Sequence, residues 1–222
     1  MRKDYDVVII GAGPSGLACA GWLPSKFKIL VVEEHNEIGQ PIVCGEGIST
    51  WLEKFFDIPQ DCIACRINKV KFFSPSGKSF CIFTPNSGYI LFRDKFDKWL
   101  SELAQKNGAE ILLGTRAIGI TGNRVRLKKE NDEFEVQARI IVGADGPISR
   151  VGHWLGFPVE LTKWDYWISR GGLIKSKELE PGTLEFHLGN KIAPGGYAWV
   201  FPKGKEVANC GLAIIPALTH TS

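Results

Sequence analysis

The sequence predicts an α/β fold: a parallel sheet followed by a second region built of antiparallel strands. Three observations carry this expectation. Asp6–Gly16 reads D-V-V-I-I-G-A-G-P-S-G, a wholly apolar run that ends in a glycine-rich turn. Further strand-length runs recur at Ile29–Val32, Glu110–Leu113 and Arg139–Ala144, as a covered parallel sheet requires. From Phe157 onward no helical periodicity interrupts strand-like runs separated by Gly/Pro turns.

The first unit is the most informative. Gly11, Gly13 and Gly16 occupy the G-x-G-x-x-G positions, with Ser15 inside the same loop. The first glycine permits the tight turn, the second lets backbone approach a pyrophosphate, and the third allows close helix packing. The helix that follows directs free N–H groups and its positive dipole end at phosphate. Ile29–Val32 leads into Glu33, whose carboxylate is placed to accept hydrogen bonds from ribose hydroxyls. Met1–Glu34 is therefore one strand–helix–strand unit with Pro24 near the helix end, and the site is a dinucleotide site.

The remaining elements follow in order. Trp51–Phe56 reads as a short helix closed before Pro59. Asn68–Phe73 and Ser79–Phe83 read as a hairpin around S-P-S-G, with Tyr89–Phe92 a separate short strand. Phe96, Trp99, Leu100, Leu103 and Ala104 give Arg93–Asn107 a helical spacing, capped at Gly108. Thr115–Ile120, Asn123–Lys128 and Phe134–Ala138 suggest a meander, and Arg139–Ala144 a buried parallel strand broken by Asp145-Gly146-Pro147. A short helix is expected over Ile148–Leu155. Trp167–Ile174, Thr183–Leu188, Tyr197–Phe201 and Val207–Ile214 are expected to pair antiparallel. The expected domains are 1–67 with 93–156 for the nucleotide and 68–92 with 157–222 for a substrate.

Composition narrows the classes. The 222 residues can bury a sizeable core, and a formal charge of +3 is too small to argue for nucleic acid. It is compatible with an anionic small molecule or a lipid surface. No apolar run reaches the roughly 18 residues that span a bilayer, so any membrane contact is expected to be peripheral. Six cysteines without compact disulfide spacing point to a reduced, cytoplasmic setting. Cys62-I-A-Cys65 has metal or redox spacing but no second pair, and His35, His153, His187 and His220 form no H-E-x-x-H pattern. No metal site is expected.

A second signal chooses between cofactors. V-G-A-D-G-P-I-S-R at Val142–Arg150 resembles the second fingerprint of glutathione-reductase-type flavoproteins of the hydroxylase branch, a Rossmann-like FAD-binding group. The resemblance implies that Asp145 and Gly146 help carry the pyrophosphate and ribityl region. Arg93, in I-L-F-R-D-K-F, matches the flavin-contacting arginine of these proteins, and Ala117 the place where backbone meets adenine. FAD is the cofactor expected.

Two further motifs name a family. P-I-V-C-G-E-G at Pro41–Gly47 resembles the P-x-x-x-C-G-E-G segment of the geranylgeranyl reductase family, and Y-A-W-V-F-P at Tyr197–Pro202 its Y-x-W-x-F-P signature. The similarity covers essentially the whole chain. It implies reduction of isoprenoid C=C bonds in lipids or related prenyl compounds, with hydride from reduced flavin and a proton from the protein. Gly45 and Gly47 let backbone lie against a flat ring system, which would put Cys44 near the flavin. Cys44 is then a proton donor, a residue that shapes the pocket, or a structural thiol. Glu46 is a polar partner for the loop or a member of a proton relay. Tyr197, Trp199 and Phe201 alternate on a strand and share one face, which either lines a tunnel for a prenyl chain or packs the domain core.

The resemblance also implies partners: a prenylated lipid and an electron donor such as NAD(P)H or ferredoxin. A third fingerprint, a G-D-A-A-G-like strand–turn–helix, is expected after Val207–Ile214, yet the sequence runs to A-L-T-H-T-S without it. A truncated form or a completing chain is the expectation that follows. The alternatives are a flavin-dependent monooxygenase, which shares the framework, and a non-catalytic FAD-binding remnant or subunit.

Overall fold

The apolar run before Gly11 forms an inner strand of a mixed sheet. The computed structural model describes residues 3–219. In chain order its elements begin with β1 (Lys3–Ile10), α1 (Pro14–Trp22), β2 (Ile29–Val32) and β3 (Gly47–Ser49). Short 3-10 turns at Thr50–Lys54 and Gln60–Cys62 precede β4 (Ile63–Phe73) and β5 (Ser79–Leu91). Next come α2 (Arg93–Lys106), β6 (Glu110–Leu112), β7 (Thr115–Thr121), β8 (Arg124–Lys129), β9 (Asp132–Gly143) and α3 (Arg150–Trp154). The strands β10 (Ile168–Lys175), β11 (Thr183–Leu188), β12 (Tyr197–Pro202) and β13 (Val207–Ile214) follow, then a 3-10 turn at Pro216–Leu218.

These elements fall into two compact units, Met1–Pro41 with Asp94–Glu160 and Ile42–Arg93 with Leu161–Ser222. The division at 41/42 differs from the one expected at 67/68, which lies inside β4. The segment from Ile42 goes with the second unit because β3 pairs with β5.

In the first unit the strand order is β6-β2-β1-β9-β8-β7. β6, β2, β1 and β9 run parallel, while β9, β8 and β7 form an antiparallel meander. All four residues of β2 are buried, which explains its unbroken I-L-V-V composition. Val8, Leu30, Val125, Leu127, Val136 and Val151 build one core. The two strands expected at 134–138 and 139–144 are a single strand, β9. Residues 132–137 pair with β8 and residues 136–143 run beside β1; the two pairings overlap, so no turn separates them. Nor is its second half buried throughout: Ile140 is 58% exposed. An apolar run alone does not tell a strand covered on both faces from one covered on a single face.

In the second unit the order is β10-β13-β12-β11-β4-β5-β3. Two expectations change here. β11 pairs parallel with β4, not antiparallel, because side-chain alternation carries no information on strand direction. Tyr89–Leu91 is not a separate strand but the end of β5. The intervening P-N-S-G stretch is an irregularity within the strand, with Asn86 at φ +53° and its N–H donated to Asn68 Oδ1 at 3.2 Å.

Registration across the second sheet lines up Phe80, Phe72, Phe186 and Trp199 on consecutive strands, then Gly211 and Gly171. Phe72 stacks on Phe80 at 5.0 Å and on Phe186 at 5.3 Å between centroids. The glycines make room for the Trp199 indole. A Cβ on Gly211 would fall 2.4 Å from Trp199 Cζ2 and 2.5 Å from the Arg170 carbonyl oxygen. Gly211→Ala is therefore expected to destabilise the protein by about 1–3 kcal/mol, read as a lower urea midpoint at unchanged slope.

Candidate FAD and prenyl sites

The nucleotide loop is built by two chain segments that lock together. Gly11 adopts φ +106°, and a Cβ there would fall 2.2 Å from the Ala144 carbonyl oxygen. Gly16 meets Gly11: its Cβ would lie 2.0 Å from the Gly11 carbonyl oxygen. Gly13 faces open space, with no heavy atom within 4 Å of a Cβ placed there. The first and third glycines are thus committed to packing, and the second stays accessible. No side chain caps α1, whose N-cap is Gly13. Ser15 is exposed in the first turn. The loop has the form a pyrophosphate requires, with uncapped N–H groups beside an unobstructed backbone.

Glu33 sits at the end of β2, and its carboxylate is already engaged. Oε2 accepts from Ala12 N–H at 2.8 Å, and Oε1 from His35 N–H at 2.9 Å. Oε1 also lies 2.6 Å from His35 Nδ1, so Glu33 ties the loop to β2 and keeps its remaining acceptor capacity on Oε2. Asp145 is likewise engaged, as the organiser of α3. Oδ2 accepts from the N–H groups of Arg150 at 2.7 Å and Val151 at 3.0 Å, and Oδ1 from the Ser149 hydroxyl at 2.7 Å. Burial works against its charge, but these hydrogen bonds prevail and hold the carboxyl below the usual carboxylate range. Gly146 turns the chain at φ +87°, and Ala144 donates its N–H to the Ile10 carbonyl at 2.8 Å. The structure thus brings the first two fingerprints together. Ala117 is buried in β7.

The second unit holds the Cys-Gly-Glu-Gly turn. Cys44 is exposed, and its Sγ accepts from the Glu46 N–H at 3.3 Å. The flat ring against Gly45 within this unit belongs to Phe201, whose Cε2 would lie 3.2 Å from a Cβ on that glycine. Gly47 opens β3. Arg93 opens α2 and donates its N–H to Glu46 Oε1 at 3.3 Å. Glu46 itself is 1% exposed and adopts φ +65°. Lys203 Nζ lies 2.7 Å from both carboxylate oxygens, and Asn209 Nδ2 2.9 Å from Oε2. Of the two roles open to Glu46, the geometry gives that of a polar partner: every direction of its carboxylate is filled.

Lys203 and Asn209 were not legible as site residues. Lys203 directly follows the Y-A-W-V-F-P strand, but its partner is 157 positions away. Asn209 enters only through the β12–β13 register, which pairs it with Phe201. Tyr197, Trp199 and Phe201 do share a face. Trp199 and Phe201 are buried in a cluster with Ile67 and Ile90, and Tyr197 is half-buried, edge-on to Phe186 at 5.1 Å. The row extends outward to Phe80, which is 60% exposed. Cys62 is buried, and among the described residues no His/Cys/Asp/Glu group could hold a metal ion. His220 lies outside the described residues.

Fold and loops together define an FAD-binding flavoprotein of the α/β class. Residues 81–184 match the family described as FAD binding domain, and residues 169–222 the geranylgeranyl reductase catalytic domain. The chain is 38% identical over 226 aligned residues to digeranylgeranylglycerophospholipid reductase of Methanosarcina acetivorans, covering 97% of this chain and 56% of that protein. The Thermoplasma volcanium reductase of the same name is 36% identical, over 95% of this chain and 56% of its own length. A geranylgeranyl bacteriochlorophyll reductase-like protein from Thermoplasma acidophilum superposes with a TM-score of 0.90 at 34% identity, covering 100% of this chain and 59% of that one. A myxobacterial chondrochloren halogenase shares the fold alone, with a TM-score of 0.80 at 17% identity over 96% of this chain and 53% of its own. Along nearly its whole length the chain is similar to these geranylgeranyl reductases. It spans little more than half the length of the relatives it matches.

Proposed function

We propose that this chain is the FAD-binding and prenyl-binding part of an oxidoreductase that reduces C=C bonds of geranylgeranyl chains in lipids. The observation that carries the reading is the relationship to digeranylgeranylglycerophospholipid reductases across 97% of the chain. The loop geometry supports it, since an open Gly13 between two packed glycines suits a dinucleotide.

Bound flavin, once reduced, supplies the hydride for one alkene carbon. Gly11 and Gly16 would pack the loop in which Gly13 and Ser15 hold the pyrophosphate, Glu33 would hold the ribose, and Asp145 with Gly146 shapes the loop beside them. By the resemblance, Arg93 and the backbone of Gly45 and Gly47 would contact the flavin, and Ala117 the adenine. An isolated alkene has no carbonyl to take up charge, so the chain must offer a dry, aromatic surface and a placed acid. Tyr197, Trp199 and Phe201 supply that surface, and the thiol of Cys44 delivers the proton to the second carbon. The prenylated lipid is met at a peripheral membrane contact, with electrons from NAD(P)H or ferredoxin and, where needed, a completing chain. Among the described residues no helix is long and apolar enough to cross a membrane.

Cys44→Ser tests the proton role. Because a positioned general acid contributes about 100-fold or more, the variant is expected to lose at least that much in alkene-reduction rate. Its flavin content per chain should be unchanged. A variant that keeps both rate and flavin removes Cys44 from the chemistry.

A further inference from the structure

Gly45-Glu46-Gly47 is a turn that local forces do not hold. Two of its three residues are glycines, and the third is a non-glycine at φ +65°, a region that side chains other than glycine enter at a cost. Without outside contacts it would sample many conformations. Its contacts come instead from the strand pair that carries the aromatic signature.

We propose that Lys203 and Asn209 are positioning residues, which fix the turn so that Cys44 is presented in one orientation. The functional consequence rests on the reductase reading; the geometry does not. Lys203 leaves β12 directly after Pro202, with its side chain 5% exposed and its Nζ 4.8 Å from the Phe92 ring centroid. It reaches both oxygens of a carboxylate that is itself buried. A buried ion pair is a poor source of net stability, and its best-attested use is to specify one arrangement over others.

Asn209 adds the direct hold on Cys44. Its Nδ2 donates to the Cys44 carbonyl oxygen and to Glu46 Oε2, each at 2.9 Å. Its orientation is determined by chemistry, because the Trp199 indole N–H is a donor only and faces Oδ1 at 2.8 Å. The indole in turn lies against Gly171 and Gly211. The signature strand and the cysteine turn are thus parts of one device, running from Trp199 through Asn209 to the Cys44 backbone and from Lys203 to Glu46.

Hydrogen–deuterium exchange of the purified protein, resolved by peptide, tests this without flavin or lipid, so its failure is separate from a failure of the reductase reading. Asn209→Leu removes both donors at similar volume and is expected to speed exchange in residues 42–50 by about tenfold, with β4 unchanged. Trp199→Phe keeps the Asn209 donors but removes the N–H that orients them, and is expected to give a smaller rise in 42–50. Glu46→Gln, a second variant that keeps the acceptor but removes the charge, is expected to show a smaller rise confined to the same segment. In the lipid-reduction assay Asn209→Leu is expected to lower kcat while KM holds. The proposal is overturned by unchanged exchange at 42–50 in Asn209→Leu and Glu46→Gln. A rise spread equally over β4 in Asn209→Leu and Trp199→Phe would overturn it too, as would an unaltered kcat in a variant whose turn has loosened.

Discussion

Gly16→Ala is expected to disrupt the nucleotide loop of the free protein, whereas Gly13→Ala leaves the free protein intact and weakens FAD binding. The Cβ of residue 16 would lie 2.0 Å from the Gly11 carbonyl oxygen, a backbone atom that cannot swing away as a side chain can. Either the α1–β1 turn opens or the Gly11–Ala144 contact separates. Overpacking of this kind costs about 3 kcal/mol. Residue 13 sits at φ −71° and ψ 177°, where alanine is equally at home, and its Cβ would meet nothing within 4 Å. Stability should therefore change by less than about 0.5 kcal/mol. The added methyl would occupy the approach of the pyrophosphate, and affinity should fall by about a hundredfold, which corresponds to roughly 2.7 kcal/mol. Urea denaturation without flavin and FAD titration by fluorescence separate the two effects. Equal behaviour of the two variants in both measurements would contradict the assignment of roles within the loop.

Lys203→Met is expected to be among the most damaging single substitutions in the second unit. The methionine fills a similar volume, so packing changes little. What remains is the Glu46 carboxylate at 1% exposure, which has lost the ammonium that faced both of its oxygens and keeps the Asn209 Nδ2 and Arg93 N–H hydrogen bonds. Removing one partner of a buried pair costs about 3–5 kcal/mol, because the other charge is left in a medium that solvates it poorly. The double variant Lys203→Met/Glu46→Gln removes both charges and is expected to recover most of that loss. A double-mutant cycle in urea reads the coupling directly. If Lys203→Met were as stable as the wild type, the ion pair would not be the constraint its geometry indicates.

The parts of this fold that were legible in the sequence are those whose cause is local. Val7–Ile10 and Ile29–Val32 read as strands beside the glycine loop and are covered in the structure, and the spacing from Phe96 to Ala104 marks one helix face. Gly11, Gly13 and Gly16 announced a loop whose three positions have different steric demands, and the structure shows those demands separately. What escaped was set by partners distant in the chain. Pro85 to Gly88 has the composition of a turn but lies inside β5, because the Asn68 side chain accepts the N–H that the ladder leaves over. The direction of β11 depends on β4, more than a hundred residues earlier, and no alternation of side chains encodes it. In the same way Glu46 was visible as part of a motif, while Lys203 and Asn209 became meaningful only once β12 and β13 were paired.

The central claim is that this FAD-binding chain serves reduction of prenyl double bonds. The most direct measurement mixes the FAD-loaded, anaerobically reduced protein with a geranylgeranyl lipid and follows flavin reoxidation alongside the mass of the recovered lipid. Reoxidation is expected to depend on the lipid, with two hydrogens gained for each double bond removed. Flavin that stays reduced beside an unchanged lipid, together with a hydroxylated product once air is admitted, would contradict it and assign the fold to oxygen chemistry.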